Sequence, residues 1–232
     1  MIGVAPDEAR AEIQRRALRA KARERLIPYC CFVDPAQAEN YKAKHLRVAA
    51  AHLEAVERGE IKRLMMTFPP RGWKTSLGSR KMGEWFIGKR FMAGLPYAVM
   101  VASYGASLAQ DEISAPVRDT VRDNPLYREV FPEVEIAKSA TSSELWKLRT
   151  RDGRSDEPYA AMAAVGVGGS ALGKGADLFI IDDPIKGIAE AESPANQARL
   201  WKWFTGTAMK RLNPGGAMVV ICQRLGQYDL EH

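Results

Sequence analysis

The sequence predicts an α/β fold, a mainly parallel sheet covered by helices on both faces. Two observations carry this. Apolar runs of strand length recur along the chain, at "IKRLMMTF" (61–68), "YAVMVAS" (97–103), "LFIIDDP" (178–184) and within 215–223. Stretches of helical period separate them, and strands that alternate with helices need crossover connections, which place helices over both sheet faces.

In order, residues 7–27 read as a polar, basic helix. Residues 36–58 carry Leu46, Ala50, Leu53 and Val56 at helical spacing and stop at Gly59. The strand 61–68 is terminated by Pro69-Pro70, and 74–90 is helical again. The buried strand 97–103 leads into a helix from about Ala106 to Val121, and 124–160 reads as irregular, with prolines and short strand candidates. "YAAMAAVGVGG" then passes through a glycine-rich loop into the strand at 178, followed by a helix over about 195–210 and a last strand in 215–223. Two units are expected: a basic helical segment over 1–58 and an α/β core over 59–232.

At 232 residues, with 46% hydrophobic and 27% charged residues, the chain has the composition of a soluble globular protein. No apolar run approaches the roughly 20 residues of a membrane span. Cys30, Cys31 and Cys222 show no metal-ligand spacing, and adjacent cysteines do not form an ordinary bridge, so a reduced, intracellular setting is expected. The net charge is +6. Much of the excess lies in Arg10, Arg15, Arg16, Arg19, Lys21, Arg23 and Arg25, which form either a solvated helix face or a nucleic-acid contact.

The stretch "FPPRGWKTS" (68–76) follows a strand and precedes a helix. A phosphate-binding loop needs that order: backbone N–H groups and a helix N-terminus hold the phosphates, a lysine neutralises charge, and a hydroxyl ligates Mg²⁺. Lys74 and Thr75 fill the last two roles, with Pro70, Arg71, Gly72, Trp73 and Ser76 completing the loop. Phe68 and Trp73 occupy both glycine positions of the strict motif. The stretch Gly168–Lys174 satisfies G-x-x-x-x-G-K, yet Gly175 replaces the hydroxyl residue and a strand follows, so it reads as a loop between strands.

At the end of the strand "LFIIDDP", Asp182 is placed to hold Mg²⁺ through water and Asp183 to polarise an attacking water. Together with Lys74-Thr75 they outline an ATPase. Asp-Pro alone is also ordinary turn chemistry.

With these motifs placed, the chain resembles the ATPase domain of the large terminase subunit of tailed bacteriophages, from about His45 to Leu230. The segments that carry the likeness are "AVERGEIKRLMMTFPPRGWKTS", "VMVASYGASLAQDEI", "NPLYREVFP" (124–132), 166–186, 193–216 and "VVICQRLGQYDL". The resemblance implies a P-loop NTPase three-layer α/β/α sandwich with N-terminal helices. It implies ATP hydrolysis with Mg²⁺ that drives double-stranded DNA into a procapsid, in the cytoplasm of the infected host cell. Portal, small terminase subunit and a homo-oligomeric ring are the implied partners, with no membrane role. Arg71 is then a candidate for the γ-phosphate, Glu190 and Glu192 are reserves for Asp183, and Cys222, Gln223 and Arg224 occupy the coupling segment. Arg118, Arg122 and Arg128 are candidates for an arginine supplied in trans. The family's nuclease domain is expected to be absent, the ending Leu230-Glu231-His232 reading as a vector remnant. Another P-loop translocase or helicase, and a degenerate DNA-binding assembly module that does not hydrolyse ATP, stay open beside this reading.

Overall fold

The parallel strands and their crossover helices assemble as the alternation predicts. The computed structural model describes residues 6–169 and 175–223. Its strands are β1 (Arg63–Thr67), β2 (Val99–Ser103), β3 (Ile136–Thr141), β4 (Leu145–Leu148), β5 (Met162–Gly166), β6 (Ala176–Asp182) and β7 (Leu212–Cys222). They form one sheet in the order β1-β7-β6-β2-β5-β4-β3. Pairing is parallel from β1 to β5 and antiparallel in β5-β4-β3.

Alternation along the strands divides the core in two. Val99, Val101, Leu178, Ile180, Val219 and Ile221 enter the larger cluster on one face. Met100, Ala102, Phe179, Ile181, Met218 and Val220 enter the smaller one on the other. The larger cluster is covered by two crossover helices. One opens as a π-helical stretch, Thr75–Lys81, and continues as α5 (Met82–Met92); the second runs likewise from Leu108–Ser114 into α6 (Ala115–Asp123). The opposite face is covered by α9 (Pro194–Trp203), through Leu200 and Trp203. This is a three-layer α/β/α arrangement.

The N-terminal residues form α1 (Pro6–Glu24), α2 (Leu26–Val33), α3 (Ala38–Tyr41) and α4 (Lys44–Glu57). The single helix expected over 7–27 breaks at Arg25, whose backbone is extended. The cause is Glu54 of α4: its carboxylate accepts from the Leu26 amide at 2.7 Å and from Arg25 Nε at 2.7 Å, which caps a new helix start. The helix expected over 36–58 is likewise split at Lys42-Ala43, and Tyr41 turns into the core. Leu26, Tyr29, Leu46 and Leu53 share one buried cluster with Trp85, Val101 and Ile180, so the core runs unbroken from these helices into the sheet.

Of the seven basic residues noted in this segment, Arg15, Arg16, Arg19, Arg23 and Arg25 bind groups of this chain, namely Glu129, Glu12, the Val130 carbonyl and Glu54.

The stretch 124–160 is more ordered than its prolines suggest. Asn124 Oδ1 accepts from the Leu126 and Tyr127 amides, with Pro125 at the first helical position, and so starts α7 (Pro125–Val130). The β3–β4 hairpin then closes one edge of the sheet. No described helix is long and apolar enough to cross a membrane.

Candidate functional site

The parallel strands present their carboxyl ends on one side, where the 68–74 loop leaves β1 and Asp182 ends β6, with β7 between them. The Phe68 amide donates to the Cys222 carbonyl at 3.0 Å and ties the loop's root to β7. A turn closes where the Gly72 amide donates to the Pro69 carbonyl, and a Cβ on Gly72 would lie 2.9 Å from that oxygen.

Arg71 and Trp73 both hold left-handed backbone, with φ of 60° and 63°. Such a conformation costs a non-glycine residue about 1–2 kcal/mol. Trp73 therefore keeps a conformation that a glycine would adopt freely. Its indole packs edge-to-face on Tyr41 of α3, with centroids 5.5 Å apart, a contact of a kind that contributes about 0.5–1.5 kcal/mol beyond area burial. The Tyr41 hydroxyl is 3.3 Å from Ser76 Oγ. Lys74 is already helical, and the Leu77 amide donates to the Trp73 carbonyl. The first helical amides, which lack intrahelical acceptors, thus lie at Lys74, Thr75 and Ser76.

Lys74 forms an ion pair with Asp183, just beyond β6, which holds φ of 47° and donates its amide to the Ile221 carbonyl. Asp182 is buried. Its Oδ2 accepts from Ser79 Oγ at 2.6 Å, while Oδ1 has no partner. Burial pushes the Asp182 carboxyl above its ordinary range, and the Ser79 hydroxyl, Lys74 and Thr75 oppose that rise. Pro70, Arg71, Gly72 and Trp73 line a groove of about 940 Å³ beside β1, with His45 and Phe68 in its walls.

The structure thus gathers Lys74, Thr75, Asp182 and Asp183 at one end of the sheet. Glu190, on α8 (Ile188–Ala191), accepts from the Lys186 amide; no bond among the described residues joins Glu190 or Glu192 to the Asp pair. Arg118 and Arg122 pair with Asp119 and Asp123, and Arg128 donates to the Arg122 carbonyl. Arg118 also bonds the Thr141 carbonyl of β3, at the sheet edge opposite β1. Cys222 is buried at the end of β7 beside Thr67, Gln223 follows it, and Arg224 lies outside the described residues. In the glycine-rich loop, Gly168 has φ of 81° and the strand β6 follows; Ser170–Lys174 lie outside the described residues.

Two polar residues of this region escaped the sequence reading. Ser79 is four residues after Thr75, on the same helix face, a spacing that could have revealed it. Ser103, fully buried at the end of β2, carried no comparable signal. Among the described residues no cluster of three or more His, Cys, Asp or Glu could hold a metal. A cation here would draw on hydroxyl, carboxylate, water and ligand oxygens, a set that suits Mg²⁺, and the partnerless Asp182 Oδ1 fits that requirement. No protein-family model matches the chain, and no curated protein sequence matches it.

Proposed function

We propose that the chain is an ATP-hydrolysing motor domain of the terminase large-subunit kind, acting on double-stranded DNA. The observation that carries this reading is the 68–74 loop, which holds a glycine-like φ at Trp73 directly before Lys74. Strained backbone persists only where its surroundings impose it, and it concentrates at functional sites.

In this reading Lys74 and Arg71 bind the phosphates, and the amides at the start of the helix face them. Thr75 and Asp182 hold Mg²⁺, which supplies charge neutralisation for the transferred phosphoryl group. Asp183 orients the attacking water. Its ion pair with Lys74 means that nucleotide binding must first draw the lysine away, which leaves the carboxylate free for that task. The resemblance adds the remaining parts: a ring of copies on a viral portal, a small terminase partner, and a setting in the host cytoplasm.

The test is Mg²⁺-dependent phosphate release. The parent chain releases phosphate from ATP, and Lys74→Ala reduces the rate about 100-fold or more. Equal release by the two proteins would place the phosphate site elsewhere. DNA binding follows as sequence-independent and falling steeply between low and physiological salt, because the grip is on phosphates. Release of phosphate without strand separation distinguishes the packaging reading from a helicase. The absence of any release, with nucleotide still bound, would favour the non-hydrolysing assembly module.

A further inference from the structure

Two buried polar atoms at the carboxyl end of the sheet lack partners, Asp182 Oδ1 and Ser103 Oγ. They belong to neighbouring strands. The β2–β6 register runs Val101↔Ile180 and Ala102↔Ile181, so its continuation sets Ser103 beside Asp182. Both side chains project to the same face, because Val99, Val101, Leu178 and Ile180 enter the larger cluster while Met100, Ala102, Phe179 and Ile181 enter the other. That face carries the helix that starts at Thr75, whose Ser79 already binds the other Asp182 oxygen.

The backbone around Ser103 is fixed. Its carbonyl accepts from the Val167 amide at 2.8 Å, and the next amide, of Tyr104, donates to the Asp183 carbonyl at 3.0 Å. Ser103 is 0% exposed, so its hydroxyl meets no bulk solvent. Leaving a buried hydroxyl without a partner costs about 1–3 kcal/mol. Paired strands lie about 4.8 Å apart. A water that bridges two oxygens on adjacent strands sits about 2.8 Å from each. Buried waters typically make about three hydrogen bonds, so a third interaction is left for this one.

We propose that Ser103 is a positioning residue of the cation site: its hydroxyl and Asp182 Oδ1 together hold one water molecule that coordinates the divalent cation bound with nucleotide. The water donates one hydrogen to Ser103 Oγ and one to Asp182 Oδ1, and its lone pair faces the cation. This rests on the nucleotide-site reading above and adds to it the residue that orients the carboxylate's water.

The test uses Mn²⁺ as probe, titrated by electron paramagnetic resonance into the whole chain with ADP, so that no turnover enters the readout. Ser103→Ala weakens Mn²⁺ binding about 10-fold, the usual size of an outer-shell effect. The same variant binds ADP in EDTA as the parent does, and Ser103→Thr, which keeps the hydroxyl, retains the parental Mn²⁺ affinity. If the hydroxyl is only a packing defect, Ser103→Ala binds Mn²⁺ like the parent and melts at a higher temperature, which overturns the proposal. Parental Mn²⁺ binding by Ser103→Ala together with its loss in Asp182→Asn sinks the role of Ser103 alone. Failure of the parent itself to bind Mn²⁺ with ADP sinks the nucleotide-site reading as well.

Discussion

The crossover after β1 and the crossover after β2 are built alike. Each leaves the carboxyl end of a parallel strand, opens its helix with seven π-helical residues, and continues as an α-helix over the same sheet face. The turns differ. The first holds two non-glycine residues, Arg71 and Trp73, in left-handed backbone, whereas no residue between Ser103 and Leu108 has positive φ. The π-helical stretch is therefore common to both crossovers. What sets the first turn apart is its strain, and it is the turn that carries Lys74. Asp183 touches both, the first through its side chain on Lys74 and the second through its carbonyl, which accepts from Tyr104.

The first crossover is also tied to the N-terminal helices through a charged group. Lys81 and Glu84 form a buried pair at 2.9 Å, and the Tyr29 hydroxyl of α2 donates to the same carboxylate. Burial draws the Lys81 pKa down, but the Glu84 carboxylate more than offsets it, so the lysine stays charged. The second crossover is held to β4 by a neutral bond, from Trp146 Nε1 to Ser114 Oγ.

The contrast can be broken at several points. The largest effect is expected at Asp183, where Asp183→Ala should spare Mg-ADP binding by calorimetry yet lower phosphate release about 10²- to 10⁴-fold. Asp182→Ala should instead lose Mg-dependent binding. Near-parental release by Asp183→Ala would shift water activation to Glu190 or Glu192. Next is the anchor: Glu84→Ala strands a buried lysine and should cost about 3–5 kcal/mol in urea unfolding. A loss below about 1 kcal/mol would show that the first crossover is no better fastened than the second.

A smaller effect is expected at Trp73. Trp73→Gly removes the left-handed cost and the indole packing together, so its stability should stay within about 1 kcal/mol of the parent, with hydrolysis preserved or raised. Trp73→Ala keeps the strain and loses the packing, so it should unfold more easily than Trp73→Gly. The reverse order in a melting experiment would mean that the loop relaxes in solution. The smallest effect belongs to the second turn, where Ser107→Ala should change phosphate release less than about twofold, as surface changes away from special features do.

How much of this was legible in the sequence depends on how far apart the interacting residues lie. The strand ending in Asp182-Asp183 and the strand-loop-helix order around Lys74 are local patterns, and both were read at their observed places. The split at Arg25 was not legible, because the cap comes from Glu54, 29 positions away. The Tyr41 ring that supports Trp73 is equally remote along the chain. The β3–β4 hairpin escaped because most of β3 is exposed and shows no clean alternation. Ser103 gained meaning only once β2 stood beside β6, a neighbour separated from it by three intervening strands in sequence.

The strained loop also has an optical consequence. Of five tryptophans, Trp85, Trp146 and Trp203 are buried, while Trp201 is 61% exposed. Trp73 is partly buried, with the Tyr41 ring at 5.5 Å, a separation at which an excited tyrosine passes its energy to an indole. Iodide quenches Trp201 and spares the three buried rings, and a Trp73→Phe control separates the emission of Trp73 from theirs. Any rotation of its backbone out of the left-handed region carries the indole off Tyr41 and alters that transfer. The residue that makes the loop costly to fold also makes its conformation visible in an ordinary fluorimeter.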